Sequence, residues 1–382
     1  MERGVSDGDK QEPGQTEANA GNGARPFKNS DAYLKKSVPQ VVGERKALGL
    51  DGLVGGLEFV RINVEHGNLA SAAGELLVNT GYDVAEAFEG KSGSTCVLRR
   101  RGSADILLTT RAKGKNPFAP YNNAPKSAHL PSTRLEAFGF ATKDVERYFE
   151  IQSGRGVRFT SDEPADAGDC VFVETVPSKC TGASVAVARR KRGGSYRGAD
   201  DRELDIGLDK PDASHLKNIG FLDHTATRVR AADRDEAILD FMRLTNFDFQ
   251  FAIYVERLNS ITNVARLAEG EFAMVFTSGI KPYRKGEVPG PTENFINNYG
   301  TRVHHMAFST EKIDETFEAL KAGGMKFLSK LLGSPAEGLK QTFSAHSPRT
   351  LLVNEYIHRY GGFDGFFTKS NVTELTRATG KQ

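Results

Sequence analysis

The chain has 382 residues, enough at roughly 150 residues per domain for two or three domains. Lys plus Arg number 51 and Asp plus Glu 49, and the resulting net charge of +2 supplies no field that would mark a nucleic-acid or membrane-surface binder. No apolar run approaches the roughly 18 residues of a membrane span. The three scattered cysteines, Cys96, Cys170 and Cys180, make neither a disulfide framework nor a paired-cysteine zinc site, which points to a reducing, cytoplasmic setting.

From the amino terminus, residues 1–33 carry five Gly and two Pro, with Val5 and Phe27 the main large apolar side chains. Such a segment cannot bury enough surface to offset its ordering entropy. A disordered tail over residues 1–45 is therefore expected. Acidic residues from Glu2 to Glu17 and the missing apolar stretch argue against a transit or signal peptide.

Beyond the tail one unit recurs four times: an apolar strand, a polar turn, a helix of about ten residues closed by Gly or Asn, then further strands. The first copy opens at 59-FVRINV-64 with its helix in 69–81, and the second at 138-FGFAT-142 with its helix in 143–154. The third opens at 221-FLDHTATRV-229 with its helix in 233–246, and the fourth at 303-VHHMAFST-310 with its helix in 311–324. Ile238, Phe241 and Met242, like Ile313, Phe317 and Leu320, fall at helical spacing and predict one buried face per helix. The expected fold class is α+β, with four βαβββ modules paired into two domains. The polar stretch 193–215 separates an N-terminal domain, 46–210, from a C-terminal one, 211–382. The basic run 189-RRKR-192 before it reads as a solvated strand end.

His224 and His305 lie in the opening strands of the third and fourth modules, and Glu355 in the final strand 350-TLLVNEYI-357. Leu351, Val353, Glu355 and Ile357 share one strand face. A carboxylate on such an apolar face is costly to bury without a compensating cation. Two His and one carboxylate from separate strands form the facial triad that holds Fe(II) with positions open for substrate and O₂. Alternation places His304 on the face opposite His305, and so outside the ligand set. The first two modules carry no matching ligands: Ala137 aligns with His305, and Val60 or Arg61 with His224. That makes the N-terminal domain metal-free.

Around these residues the sequence resembles the 4-hydroxyphenylpyruvate dioxygenase family of the vicinal-oxygen-chelate (glyoxalase-like) superfamily. The resemblance rests on 222-LDHTATRV-229, 303-VHHMA-307 and 349-RTLLVNEYIHRYGGF-363, with support from 258-LNS-260, 341-QTF-343 and 371-NVTEL-375. It covers the C-terminal half at motif level and the N-terminal half only as modules. It implies an Fe(II) enzyme that takes an aromatic 2-oxo acid and O₂, most simply 4-hydroxyphenylpyruvate, to homogentisate and CO₂ in tyrosine catabolism. By position it implies metal ligation by His224, His305 and Glu355, and substrate contact by Ser260, Gln341, Phe343, Phe363 and Asn371. No catalytic residue is implied beyond the metal site. A lid over 363–378 is expected, its helix capped by Ser370 or Asn371 with Glu374 completing a capping box.

The chain departs from the family pattern in a short His305-to-Glu355 stretch, in His304 where the family has Gln, and in 277-TSGIKPYR-284. Three alternatives therefore stay open. One is an extradiol ring-cleaving dioxygenase with His346 or Tyr356 as acid or base. The others are hydroxymandelate synthesis and a non-catalytic binding protein on the same scaffold. Edge strands of such modules offer a homodimer contact.

Overall fold

A computed structural model of the chain describes residues 27–382 apart from 113, 192, 362, 364 and 381. In the first half, strands β1 (Val54–Val64), β2 (Asp83–Gly90), β3 (Gly93–Arg99), β4 (Asp105–Thr110), β5 (Arg134–Thr142), β6 (Ala165–Asp166), β7 (Cys170–Glu174), β8 (Ser184–Arg190) and β9 (Arg202–Glu203) form one mixed sheet. In the second half, β10 (Ile219–Arg228), β11 (Asp248–Val255), β12 (Ser260–Arg266), β13 (Ala273–Ser278), β14 (Arg302–Thr310), β15 (Leu332–Ser334), β16 (Leu339–Phe343) and β17 (Val353–Arg359) form another. The helices are α1 (Ala32–Leu48), α2 (Leu69–Asn79), α3 (Val145–Gly154), α4 (Arg234–Leu244), α5 (Pro291–Tyr299), α6 (Ile313–Ala322) and α7 (Lys369–Thr379).

The four expected modules are present, each helix lying within its expected span. In every module the first strand runs parallel to the last, as β1 with β4, β5 with β8, β10 with β13 and β14 with β17. The opening strands of paired modules join antiparallel, β1 with β5 and β10 with β14. A tight hairpin cannot link parallel strands, so each module needs its crossover helix. Those helices bury their apolar faces on one side of the sheets. Ile238, Leu239, Phe241 and Met242 of α4 join Phe140 and Phe247 in a core shared by both halves, with the Phe140 and Phe247 rings 5.2 Å apart. Met306, Phe308 and Tyr356 join this core, while His305, Val353 and Glu355 on alternate positions face the other, curled side.

The tail expected through residue 45 is shorter than that. Residues 1–26 lie outside the described residues, whereas Ala32–Leu48 is a helix with Leu34 and Val41 buried. The helix terminates at Gly49, whose φ of 73° suits a residue without Cβ. Its Arg45 donates to the carbonyls of Met242, Thr245 and Phe247 at the end of α4 and pairs with Asp248 at 2.7 Å. Those carbonyls have no partners within α4, so a cation there satisfies them and opposes the helix dipole. The composition of the first residues hid this because α1 is polar on its outer face and sits directly after the Gly-rich stretch. The basic run is the solvated strand end expected: it closes β8, with Arg189 and Lys191 exposed and paired at the surface with Glu146 and Asp169, and Arg190 half-buried against Glu58.

The strand registers align the halves residue by residue. His224 stands across from Ala307, and Phe59 across from Gly139 in the same place of the first half. The equivalent of His224 is thus Phe59, one residue before the expected Val60. The equivalents of His305 and Glu355 are Ala137 and Ala186. The Phe59 ring fills that space so closely that a Cβ on Gly139 would overlap it. Gly139→Ala is therefore expected to destabilise the protein by about 1–3 kcal/mol through overpacking, measured by denaturant unfolding. An unchanged midpoint would show that the first half has slack where Phe59 sits.

Candidate metal centre and its pocket

β10, β14 and β17 are adjacent in the second sheet, and they bring His224, His305 and Glu355 together. Both His224 Nε2 and His305 Nε2 approach Glu355 Oε2, at 3.1 and 3.2 Å. Donors cis to one another on an ion with bonds near 2.1 Å stand about 3.0 Å apart, so the spacing fits a shared metal. His224 Nε2 and Glu355 Oε1 are buried with no hydrogen-bond partner. Such orphaned atoms are costly unless something else satisfies them. The donor set of two imidazoles and one carboxylate suits Fe(II), and it is the kind of set that leaves coordination positions open.

The surroundings orient the ligands. Asp223 Oδ1 lies 2.7 Å from His224 Nδ1, which leaves Nε2 free to face Glu355. Burial raises the Asp223 carboxyl, but His224 and Arg359 overcome it and hold the group down to about 2. Arg359 pairs with Asp223. The first half repeats this pair as Glu58 with Arg190, so the pair belongs to the module and does not depend on the triad. Burial alone would lower the His224 pKa; Glu355 and Asp223 together outweigh burial and raise it to about 9. A bound cation takes over the role of that proton. His305 is held well below its ordinary pKa by burial and by neighbouring His304, so it stands neutral, as a ligand must.

His304 does not lie on the opposite face. The β10–β14 register shifts between Ala226–His305 and Thr227–Val303, a bulge that turns both histidines inward. His304 Nδ1 sits 2.8 Å from His305 Nδ1, and His304 Nε2 is 2.9 Å from Gln382 Oε1. With both rings neutral, His305 donates to His304, which donates to Gln382. His304 thereby supports His305 as Asp223 supports His224. Strand alternation missed it because one extra residue reverses the parity of everything before it.

The triad opens into a pocket lined by Arg228, Ser260, Gln341, Phe343, Phe367 and the α7 residues Val372, Leu375, Thr376 and Thr379. Its closed volume is ≈ 50 Å³, room for on the order of a few waters. Of the expected substrate contacts, Ser260 lines it and lies 3.4 Å from Thr292 Oγ1. Gln341 presents an amide whose nitrogen and oxygen both lack partners. Phe343 packs 4.8 Å from the His305 ring. Two of the expected contacts lie off this lining. Phe363 packs against Gly338 and Gly365 away from the cavity, and Phe367 occupies the wall instead. Asn371 is buried beside Gly333 and does not line the cavity. The α7 cap is Thr368, which accepts from Asn371 N at 3.2 Å, while Glu374 pairs with Arg377.

His346 and Tyr356 also lie elsewhere. His346 packs on Tyr299 at the edge of a different cavity, and Tyr356 donates to Asn79 O from within the core. A larger cavity of ≈ 530 Å³ between α4 and β8 holds none of the triad.

Replacing Asp223 by Asn keeps the shape but weakens the hold on the His224 tautomer. Iron affinity is expected to fall by about 10–100-fold, read from anaerobic Fe(II) titration. Unchanged affinity would remove Asp223 from the account of the site.

No protein-family model matches the chain, and no curated protein matches it by sequence. Among solved structures, an engineered variant of 4-hydroxymandelate synthase from Streptomyces coelicolor aligns with a TM-score of 0.67 at 18% identity, covering 86% of this chain and 98% of that one. A fusion of a xylose isomerase-like TIM barrel with 4-hydroxyphenylpyruvate dioxygenase aligns with a TM-score of 0.58 at 16% identity, over 85% of this chain and 53% of that one. This chain thus spans about half of the fusion protein. No described helix is long and apolar enough to cross a membrane. With four βαβββ modules paired into two curled sheets, the chain shares its fold with the 4-hydroxymandelate synthase variant and with part of the fusion protein.

Proposed function

We propose that the chain is an Fe(II)-dependent dioxygenase acting on an aromatic 2-oxo acid, and that it converts 4-hydroxyphenylpyruvate and O₂ to homogentisate and CO₂. The observation that carries this reading is the convergence of His224 Nε2, His305 Nε2 and Glu355 Oε2 at the floor of an aromatic-walled pocket. Iron, when bound by these residues, would supply Lewis acidity toward a 2-oxo acid and the capacity to reduce O₂. The remaining work falls to the protein. Phe343 and Phe367 offer walls for an aromatic ring. Gln341 offers an unpartnered donor and acceptor to orient the substrate. Helix α7 lines one side of the pocket, where it would limit the access of water to a bound substrate, and a shift of α7 would widen the entry. The ring-cleaving alternative loses support because His346 and Tyr356 do not reach the pocket. Anaerobic loading with Fe(II), addition of 4-hydroxyphenylpyruvate and O₂, and mass spectrometry of the product test the proposal. Homogentisate is the expected product; hydroxymandelate or a ring-opened acid would replace it with one of the alternatives.

A further inference from the structure

Three arginines are buried near the junction of the two halves, and they are of two kinds. Arg134 donates to the carbonyls of Tyr121 and Thr301 and to Asn122, and Arg302 donates to Thr133 O. Arg134 spreads its charge over several oxygens, and Arg302, which makes that one bond and leaves Nη1 unpartnered, lies with Arg134 outside the pocket lining. Arg228 is different. It is 4% exposed, and among the described residues its one side-chain hydrogen bond is to Pro291 O at 3.2 Å. Burial is the sole influence on its ionisation, lowering it to about 9, with no carboxylate to offset the cost. Its guanidinium lies 4.5 Å over the Phe295 ring, a contact that preserves the cation but does not neutralise it.

This uncompensated cation opens into the pocket that holds His305, Glu355, Gln341 and Phe343. It stands four residues beyond His224 on β10, roughly 13 Å along the strand, and two beyond Ala226, which pairs with His305, so it lies past the triad on the side of the pocket lined by Thr262 and Thr277. Hydroxyls accompany it. Thr277 lies beside Arg228 in the register of β10 and β13, and Thr262 lies beside Thr277 in the register of β12 and β13. Both line the pocket, and Thr277 Oγ1 is buried without a hydrogen-bond partner. A guanidinium and free hydroxyls on adjacent strands are what recognition of an oxyanion requires. A neutral aromatic ring would leave Thr277 Oγ1 unpartnered and the guanidinium without a counter-charge.

We infer that Arg228, with Thr277 and Thr262, forms an anion-binding subsite, and that the substrate is an aromatic 2-oxo acid carrying a second anionic group on the end of the ring remote from the 2-oxo acid. The inference rests on the function proposed above and narrows its substrate class: 4-hydroxyphenylpyruvate fits the ring walls, but an analogue with a carboxylate in place of the phenol satisfies the cation as well.

Calorimetry on Fe(II)-loaded protein without O₂ tests this, with phenylpyruvate and 4-carboxyphenylpyruvate as ligands. The wild-type protein is expected to bind the carboxylated acid at least about tenfold tighter, the range of a charge-assisted hydrogen-bond pair. Arg228→Met should erase that preference, read as the ratio of the two affinities within each protein, and Arg228→Lys, which keeps the charge, should retain part of it. Equal preference in wild-type and Arg228→Met proteins, or no preference in the wild type, overturns the inference. Terephthalate, which has no 2-oxo acid, separates this failure from failure of the function itself. If iron binds but neither 2-oxo acid does, the proposed function falls. The subsite then stands if terephthalate binds the wild type and not Arg228→Met, and falls if the two proteins treat terephthalate alike.

Discussion

Glu355→Ala protein is expected to take up no iron while retaining its fold. Glu355 is 1% exposed, and its Oε2 is the atom on which both histidine nitrogens converge. It supplies the negative charge that makes a buried cation tolerable at this point of the sheet. Without it, two neutral imidazoles remain, and affinity should fall by more than the roughly 10–100-fold that loss of an outer partner costs. The substitution removes a buried charge and leaves the main core untouched, because Glu355 faces away from the cluster that holds Met306, Phe308 and Tyr356. Circular dichroism should therefore match the wild type. His224→Ala and His305→Ala should behave in the same way, whereas His346→Ala, distant from the pocket, should bind iron normally. Full iron occupancy in Glu355→Ala protein would refute the assignment of this carboxylate.

The second large effect is expected from deleting residues 363–382. Val372, Leu375, Thr376 and Thr379 of α7 form one side of the pocket, and Leu375 packs with Phe343 and Val353. The deletion removes a wall of the pocket but none of the triad. It should retain iron binding, weakened by the loss of Gln382 from His304 and of the Phe366 and Phe367 rings from His224, and let water reach the reacting centre, so that O₂ and 2-oxo acid are consumed with several-fold less aromatic product than in the wild type. Leu375→Ala, which opens a gap in the wall without removing the helix, should show a weaker form of the same uncoupling and guards against misfolding of the truncated chain. If the truncated protein couples O₂ to product as the wild type does, α7 is a packing element and not a lid.

The observation that joins these two results is that the ligands sit on the sheet itself, while the covering segment meets them from outside, through the Phe366 and Phe367 rings on His224 and Gln382 on His304. The ligands sit on central strands whose neighbours are fixed by ladder hydrogen bonds, whereas α7 is held by apolar contacts and a Thr368 cap. Such contacts can break and re-form at modest cost. An enzyme that must close over its substrate needs that division.

Local rules were enough to read the modules, their helices and the three converging donors from the chain alone. Helical periodicity and strand alternation act within one element, and His224, His305 and Glu355 stand out because charged or polar side chains interrupt apolar strand faces. Tertiary structure decided the remainder. The bulge that turns His304 inward arises from pairing between β10 and β14, which no single strand encodes. Helix α1 is polar by composition, and its place follows from the unpaired carbonyls at the end of α4 that Arg45 satisfies. Phe367 and not Phe363 faces the pocket because Phe363 finds its space over Gly338, two segments that meet only in the fold. Arg228 reads in sequence as one more charged strand residue; its lack of a carboxylate partner becomes visible only once its surroundings are assembled. Burial, parity at a bulge and the presence or absence of a partner are properties of pairs distant in sequence, so they belong to the folded chain and not to any stretch of it.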